Sequence, residues 1–116
     1  MKTTLSMLFL WVFSFSFSQV NWMTMEQALT AQKTNPKKIL IDFYADWCLP
    51  CLEIDRKTFQ NPTVEKELRN IVPIKIDCTL ESDSCTEAVN RFQVVGWPTI
   101  LFLDKNQNLQ KDLSVV

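Results

Sequence analysis

A chain of 116 residues has room for one folded domain. With 47 % apolar residues, 22 % charged residues and a net charge of −1, its composition is globular and carries no basic footprint for nucleic acid or anionic lipid. It contains no histidine, which excludes Cys-His and Ser-His-Asp mechanisms and imidazole metal ligands, so any chemistry must come from cysteine, carboxylate or lysine.

Lys2 precedes a hydrophobic run over residues 5–17 (LSMLFLWVFSFSF), and Ser16-Phe17-Ser18 offers small residues where a signal peptidase reads. The run is shorter than the ~20 residues that span a bilayer core. Residues 1–18 are therefore expected to be a signal peptide, with an uncleaved anchor as the alternative. The expected location is periplasmic or extracellular, without stable membrane insertion after cleavage. No cysteine follows the run to accept a lipid.

Residues 23–33 (MTMEQALTAQK) read as a helix, with Thr24 as N-cap and Gln27 completing a capping box. Asn35-Pro36 ends it. Residues 38–45 (KILIDFYA) form an apolar run broken only by Asp42, as in a buried central strand. Asp46-Trp47-Cys48-Leu49-Pro50-Cys51 follows, and a helix is expected over about 49–58. Asn61-Pro62-Thr63 interrupts and restarts it through 64–69. Residues 71–77 (IVPIKID) are a second strand, demoted at Pro73 to an edge or a strand start. A third helix covers 82–92, capped by Ser82 or Ser84. Gly96-Trp97-Pro98 is a turn, residues 99–104 a strand, 105–108 a polar turn and 109–116 a last strand. This order implies an α/β fold with a mixed central sheet flanked by helices.

Four cysteines in an exported chain suggest pairing. A Cys-x-x-Cys at a strand-to-helix junction puts Cys48 at the helix N-terminus, where free N–H groups and the helix dipole stabilise a thiolate. Cys51 lies one turn on, close enough to bond it. Exposed Cys48 would attack and more buried Cys51 would resolve the mixed disulfide. Taken alone, the pair could also be half of a zinc site or a purely structural bridge. Zinc would need Cys78 and Cys85, whose spacing is wide for a ribbon or knuckle. A bridge across so short a loop would stabilise little.

IDFYADWCLPC resembles the active-site strand and turn of the thioredoxin superfamily, and Gly96-Trp97-Pro98-Thr99 resembles its cis-proline loop, about 50 residues further on. Within that superfamily YADWCLPC, followed by Thr58-Phe59, Asn61-Pro62 and Val64, is most similar to the C-terminal periplasmic domain of the DsbD type of thiol:disulfide interchange protein. The resemblance covers roughly residues 38–104 and implies Cys48 as nucleophile and Cys51 as resolving thiol; the expected thioredoxin-like domain is residues 19–116. Asp42 matches the buried aspartate that moves the second cysteine's proton, and desolvation should make it a usable base. The alternative is an aspartate that reaches solvent or a backbone partner. Pro98 matches the cis-proline, and Trp47 and Trp97 would flank the site as a substrate-docking surface or serve simply as packing. No cofactor or metal is implied.

Cys78 and Cys85 match no catalytic motif of the family. A structural disulfide is expected between them, with free thiols or a second redox pair as alternatives; the acidic loop Glu81-Ser82-Asp83 does not favour a reactive thiol. The helix that usually follows the hairpin in this family is expected to be missing, because the sequence reaches Val116 where that helix would begin. Truncation, an oligomer, or the N-terminal helix laid over the bare sheet face are the explanations left open. The function expected is exported thiol–disulfide exchange with protein disulfides, in the reducing direction, supplied by a membrane thiol reductase. An oxidase or isomerase, or a non-catalytic binding protein of the same fold, is the alternative.

Overall fold

The computed structural model describes residues 19–115; the expected signal segment, residues 1–18, lies outside the described residues. Helix α1 (Met25–Thr34) opens on the expected box. The Gln27 N–H donates to the Thr24 hydroxyl (3.2 Å), and the Thr24 N–H donates to the Gln27 side chain (3.0 Å). Gln32 then fixes the turn into the sheet by bonding both the N–H and the carbonyl of Lys37 at 2.8 and 2.7 Å.

Strand β1 (Ile39–Tyr44) lies at the centre of a sheet ordered β2-β1-β3. β2 (Val72–Asp77) runs parallel to it and β3 (Thr99–Leu103) antiparallel. Pro73 fits because β2 is an edge. Val72 and Cys78 donate inward to Lys38 and Tyr44, whereas Lys75 donates outward to Met23, so the alternation turns the Pro73 nitrogen to the outer edge.

Alternation along β1 sorts the core into two layers. Ile39, Ile41 and Phe43 face Ala28 of α1 and Cys85 and Ala88 of α4 (Asp83–Phe92). Leu40 faces Phe59 and Leu68, on the layer built from α2 (Leu49–Ile54), a π-helical turn (Asp55–Phe59) and α3 (Pro62–Leu68). The single helix expected over 49–58 is thus shorter and widens at its end, where Phe59 is buried edge-on against Trp22, 4.9 Å between ring centres. Asn61 restarts the chain as α3, its side chain accepting the Thr63 and Val64 N–H groups.

The C-terminal segment departs from the expected strand over 109–116. Only isolated bridges form, Leu103 with Leu109 and Ile100 with Val115, and Lys111–Leu113 make a 3-10 turn between them. Ser114 explains the break. Its hydroxyl accepts the Phe102 N–H (3.2 Å) and donates to the Gln110 carbonyl (2.9 Å), replacing a backbone rung by a local side-chain bond. Nor is α1 laid over the α2–α3 side of the sheet: it belongs to the same core layer as α4, and the extended residues Val20 and Trp22 reach the α2–α3 layer instead.

Phe43 is fully buried at the heart of the first layer. Phe43→Ala is expected to cost about 3–5 kcal/mol, read from the shift in a urea unfolding midpoint.

Candidate redox site

β1 ends at Tyr44, and Ala45 and Asp46 lead straight into α2. Cys48 is the N-cap of that helix, in an extended conformation, and its sulfur accepts the Cys51 N–H at 3.3 Å. Pro50 occupies the first turn, where a missing N–H costs nothing. Cys48 and Cys51 are bonded, with Cα atoms 5.3 Å apart. The expected contrast between an exposed Cys48 and a buried Cys51 is not found. In the bonded pair they are 5 % and 6 % exposed, clustered with Ala45 and covered by Tyr44 and Trp97. What distinguishes them is position on the helix: only the Cys48 sulfur receives an N–H from the first turn.

Asp42 is 5 % exposed and lies on the sheet face that α2 covers. Burial pushes its carboxyl up to about 6, opposed by the positive charge of Lys75 and reinforced by the negative charge of Asp55. Lys75 stands opposite Asp42 in the β1–β2 register. Its ammonium bonds Asp55 at 2.8 Å and sits over the rings of Tyr44 (4.7 Å) and Trp22 (5.0 Å). The cation that opposes the shift at Asp42 is therefore shared with a second carboxylate. Tyr44 is itself pushed up to about 12 by burial and by its bond to Asp77, so it stays a neutral phenol at working pH.

The Trp97–Pro98 bond is cis and leads directly into β3. The Thr99 hydroxyl donates back to the Gly96 carbonyl at 2.6 Å and closes the loop. Trp97 packs against the cysteine pair and meets Trp47 edge-on, 6.1 Å between ring centres. Trp47 is 64 % exposed, and Leu49, Leu80 and Val95 are also exposed. Cys78, just after β2, and Cys85, in the first turn of α4, are bonded to each other and are 2 % and 3 % exposed.

Lys75, Asp55 and Thr79 belong to this neighbourhood and escape sequence reasoning. Lys75 could have been found from alternation, since it shares the Asp42 face once a parallel register is assumed. No local signal points to Asp55 or Thr79.

A mixed sheet with helices on both faces, and a Cys-x-x-Cys opening the helix that follows the central strand, define a thioredoxin-fold protein. The family described as thioredoxin-like matches residues 21–105, and the chain belongs to it. Among curated relatives, the thiol:disulfide interchange protein DsbD of Haemophilus ducreyi is 43 % identical over 82 residues, 71 % of this chain. That of Haemophilus influenzae (strain PittEE) is 36 % identical over 97 residues, 80 % of this chain. This chain spans only 14 % and 17 % of the length of those relatives. Among solved structures, the oxidised DsbD C-terminal domain of Neisseria meningitidis superposes with a TM-score of 0.60 at 25 % identity, covering 77 % of this chain and 82 % of that one. A thioredoxin from Thermus thermophilus gives 0.64 at 21 % identity, covering 73 % and 65 %, a likeness of fold. No helix among the described residues is long and apolar enough to cross a membrane.

Proposed function

We propose that this chain is an exported thiol–disulfide oxidoreductase that reduces protein disulfides through Cys48 and Cys51. The observation that carries the reading is the placement of this pair at the N-terminus of α2, with the Cys51 N–H directed at the Cys48 sulfur. That N–H and the helix dipole favour a thiolate at Cys48.

In the reduced protein the Cys48 thiolate attacks one sulfur of a substrate disulfide. A mixed disulfide forms and the first substrate sulfur leaves as a thiolate. Cys51 then loses its proton to the Asp42 carboxylate and attacks the Cys48 sulfur. The second substrate thiol is released, and Cys48–Cys51 becomes the disulfide. Two electrons pass from the protein to the substrate. A dithiol donor, in this reading a membrane thiol reductase, returns them by the same exchange in reverse. Trp47, Trp97 and Pro98 form the apolar rim on which the substrate segment lies.

Direction is tested by equilibrating the Cys48–Cys51 pair with glutathione buffers. A reductase is expected to settle between about −200 and −270 mV, whereas a value near −120 mV would assign the chain to oxidation. The export half is tested separately, by sequencing the N-terminus of the protein recovered outside the cytosol, with Gln19 expected first.

A further inference from the structure

The second disulfide lies next to the segment that holds the active-site turn. We propose that Thr79 is a positioning residue for the redox site, holding Asp46 and Trp47 beside Cys48, and that the Cys78–Cys85 disulfide is the anchor that keeps Thr79 in place.

Trp47 is too exposed, at 64 %, to be fixed by burial. Its indole N–H donates to the Thr79 carbonyl at 3.3 Å. The neighbouring Asp46 N–H donates to the Thr79 hydroxyl at 2.8 Å. One residue from a distant loop thus takes both polar contacts of the two positions preceding Cys48. Thr79 is in turn held by Asp77, whose carboxylate accepts its N–H (2.9 Å) and its hydroxyl and also bonds Tyr44. The Thr79 hydroxyl is therefore oriented: its proton goes to Asp77, which leaves its lone pair for Asp46.

The loop beyond Thr79 is exposed and its bonds are local: the Ser82 N–H donates to the Leu80 carbonyl (2.7 Å), and the Ser82 hydroxyl caps α4 by accepting the Cys85 N–H (3.2 Å). Leu80 is 80 % exposed, and Glu81 and Ser82 are exposed as well. Its two ends are fixed by cysteine. Cys78 donates its N–H to Tyr44 at 2.7 Å, and its sulfur is bonded to Cys85 in the first turn of α4, seven residues on. The bridge ties the end of β2 to α4 immediately beside Thr79. Exposed loops open at low free energy, and a covalent tie between the two ends of one limits how far it can open.

The inference rests on the reading of Cys48 as the attacking thiol for its KM readout, whereas the exchange and resonance readouts are independent of that reading. In the mature chain, two variants are compared with wild type by amide hydrogen exchange and by the Trp47 indole N–H resonance. Thr79→Val keeps the shape and both disulfides but removes the hydroxyl. Asp46 exchange is expected to speed roughly fivefold, as for loss of one ordinary hydrogen bond. The double variant Cys78→Ala/Cys85→Ala is expected to speed the same amide and to broaden or shift the Trp47 resonance. Both should raise KM for a protein disulfide more than they lower kcat, while alkylation of reduced Cys48 by a small reagent changes little. If Thr79→Val leaves Asp46 exchange and KM at wild-type values, the positioning role is overturned. If the double variant loses thermal stability alone, with Asp46 and Trp47 unchanged, the disulfide is only a staple and the anchoring half is overturned. Should the double variant fail to fold, Thr79→Val still decides the positioning role. An inactive protein would sink the proposed function but leave the exchange and resonance readouts able to decide this one.

Discussion

Cys48→Ser is expected to reduce turnover of a protein disulfide to background, a loss of at least ~10³-fold, with the fold unchanged. A hydroxyl at the N-cap can still accept the Cys51 N–H that the sulfur now accepts at 3.3 Å, so the helix keeps its cap. What is lost is the nucleophile: a serine hydroxyl stays protonated at working pH and cannot exchange with a disulfide. Cys51→Ser should fail differently. Attack by Cys48 still proceeds, but no second thiol resolves the adduct, so substrate accumulates as a mixed disulfide visible on a non-reducing gel. Finding the adduct with Cys48→Ser instead would invert the roles assigned here. The equal burial of the two sulfurs makes this experiment decisive, since exposure does not rank them.

Asp42→Asn carries the second large effect, and its sign changes with the property measured. The folded carboxyl titrates near 6 against 3.8 for the ordinary group, raised mainly by burial. Between about pH 4 and 6 the folded chain holds a proton that the unfolded chain has released, so stability falls as pH rises through that window and then levels off. A shift of about two units corresponds to roughly 2–3 kcal/mol against folding at pH 8. Asparagine removes that penalty. The variant is expected to be more stable than wild type at pH 8 by on the order of 2 kcal/mol, with the gain vanishing below about pH 4. Urea titrations at the two pH values measure it. The same substitution should slow resolution by Cys51 on the order of 10²-fold near neutral pH, because the base is gone. In the wild type that rate should fall as pH drops through about 6, where Asp42 takes up its proton. A variant with no stability gain at pH 8 would mean that the carboxylate is already compensated in the folded state.

Much of the site is legible along the chain because its chemistry is local. Cys48, Leu49, Pro50 and Cys51 specify a capped helical turn by spacing alone. Asp42 stands out as the one charge in an apolar run, and Thr24 with Gln27 predicts a box that forms as written. The strand over 109–116 misleads for the same local reason: apolar alternation is present, but one serine hydroxyl competes successfully with the ladder.

The sequence by itself determined the helices and strands up to β3 in outline, the cysteine pair and the buried carboxylate, since helix caps, alternation and burial tendency are properties of neighbouring residues. Only the tertiary structure decided what surrounds them. Whether Lys75 neutralises Asp42 or is drawn away depends on Asp55, twenty residues from that lysine, which claims the ammonium at 2.8 Å. Whether Trp47 is held or loose depends on Thr79, thirty-two residues from it, beside a disulfide. Charges and hydrogen bonds act over a few ångströms of space regardless of separation along the chain. Their partners are therefore set by the register of β1 on β2 and by the packing of α2, not by any pattern in adjacent residues.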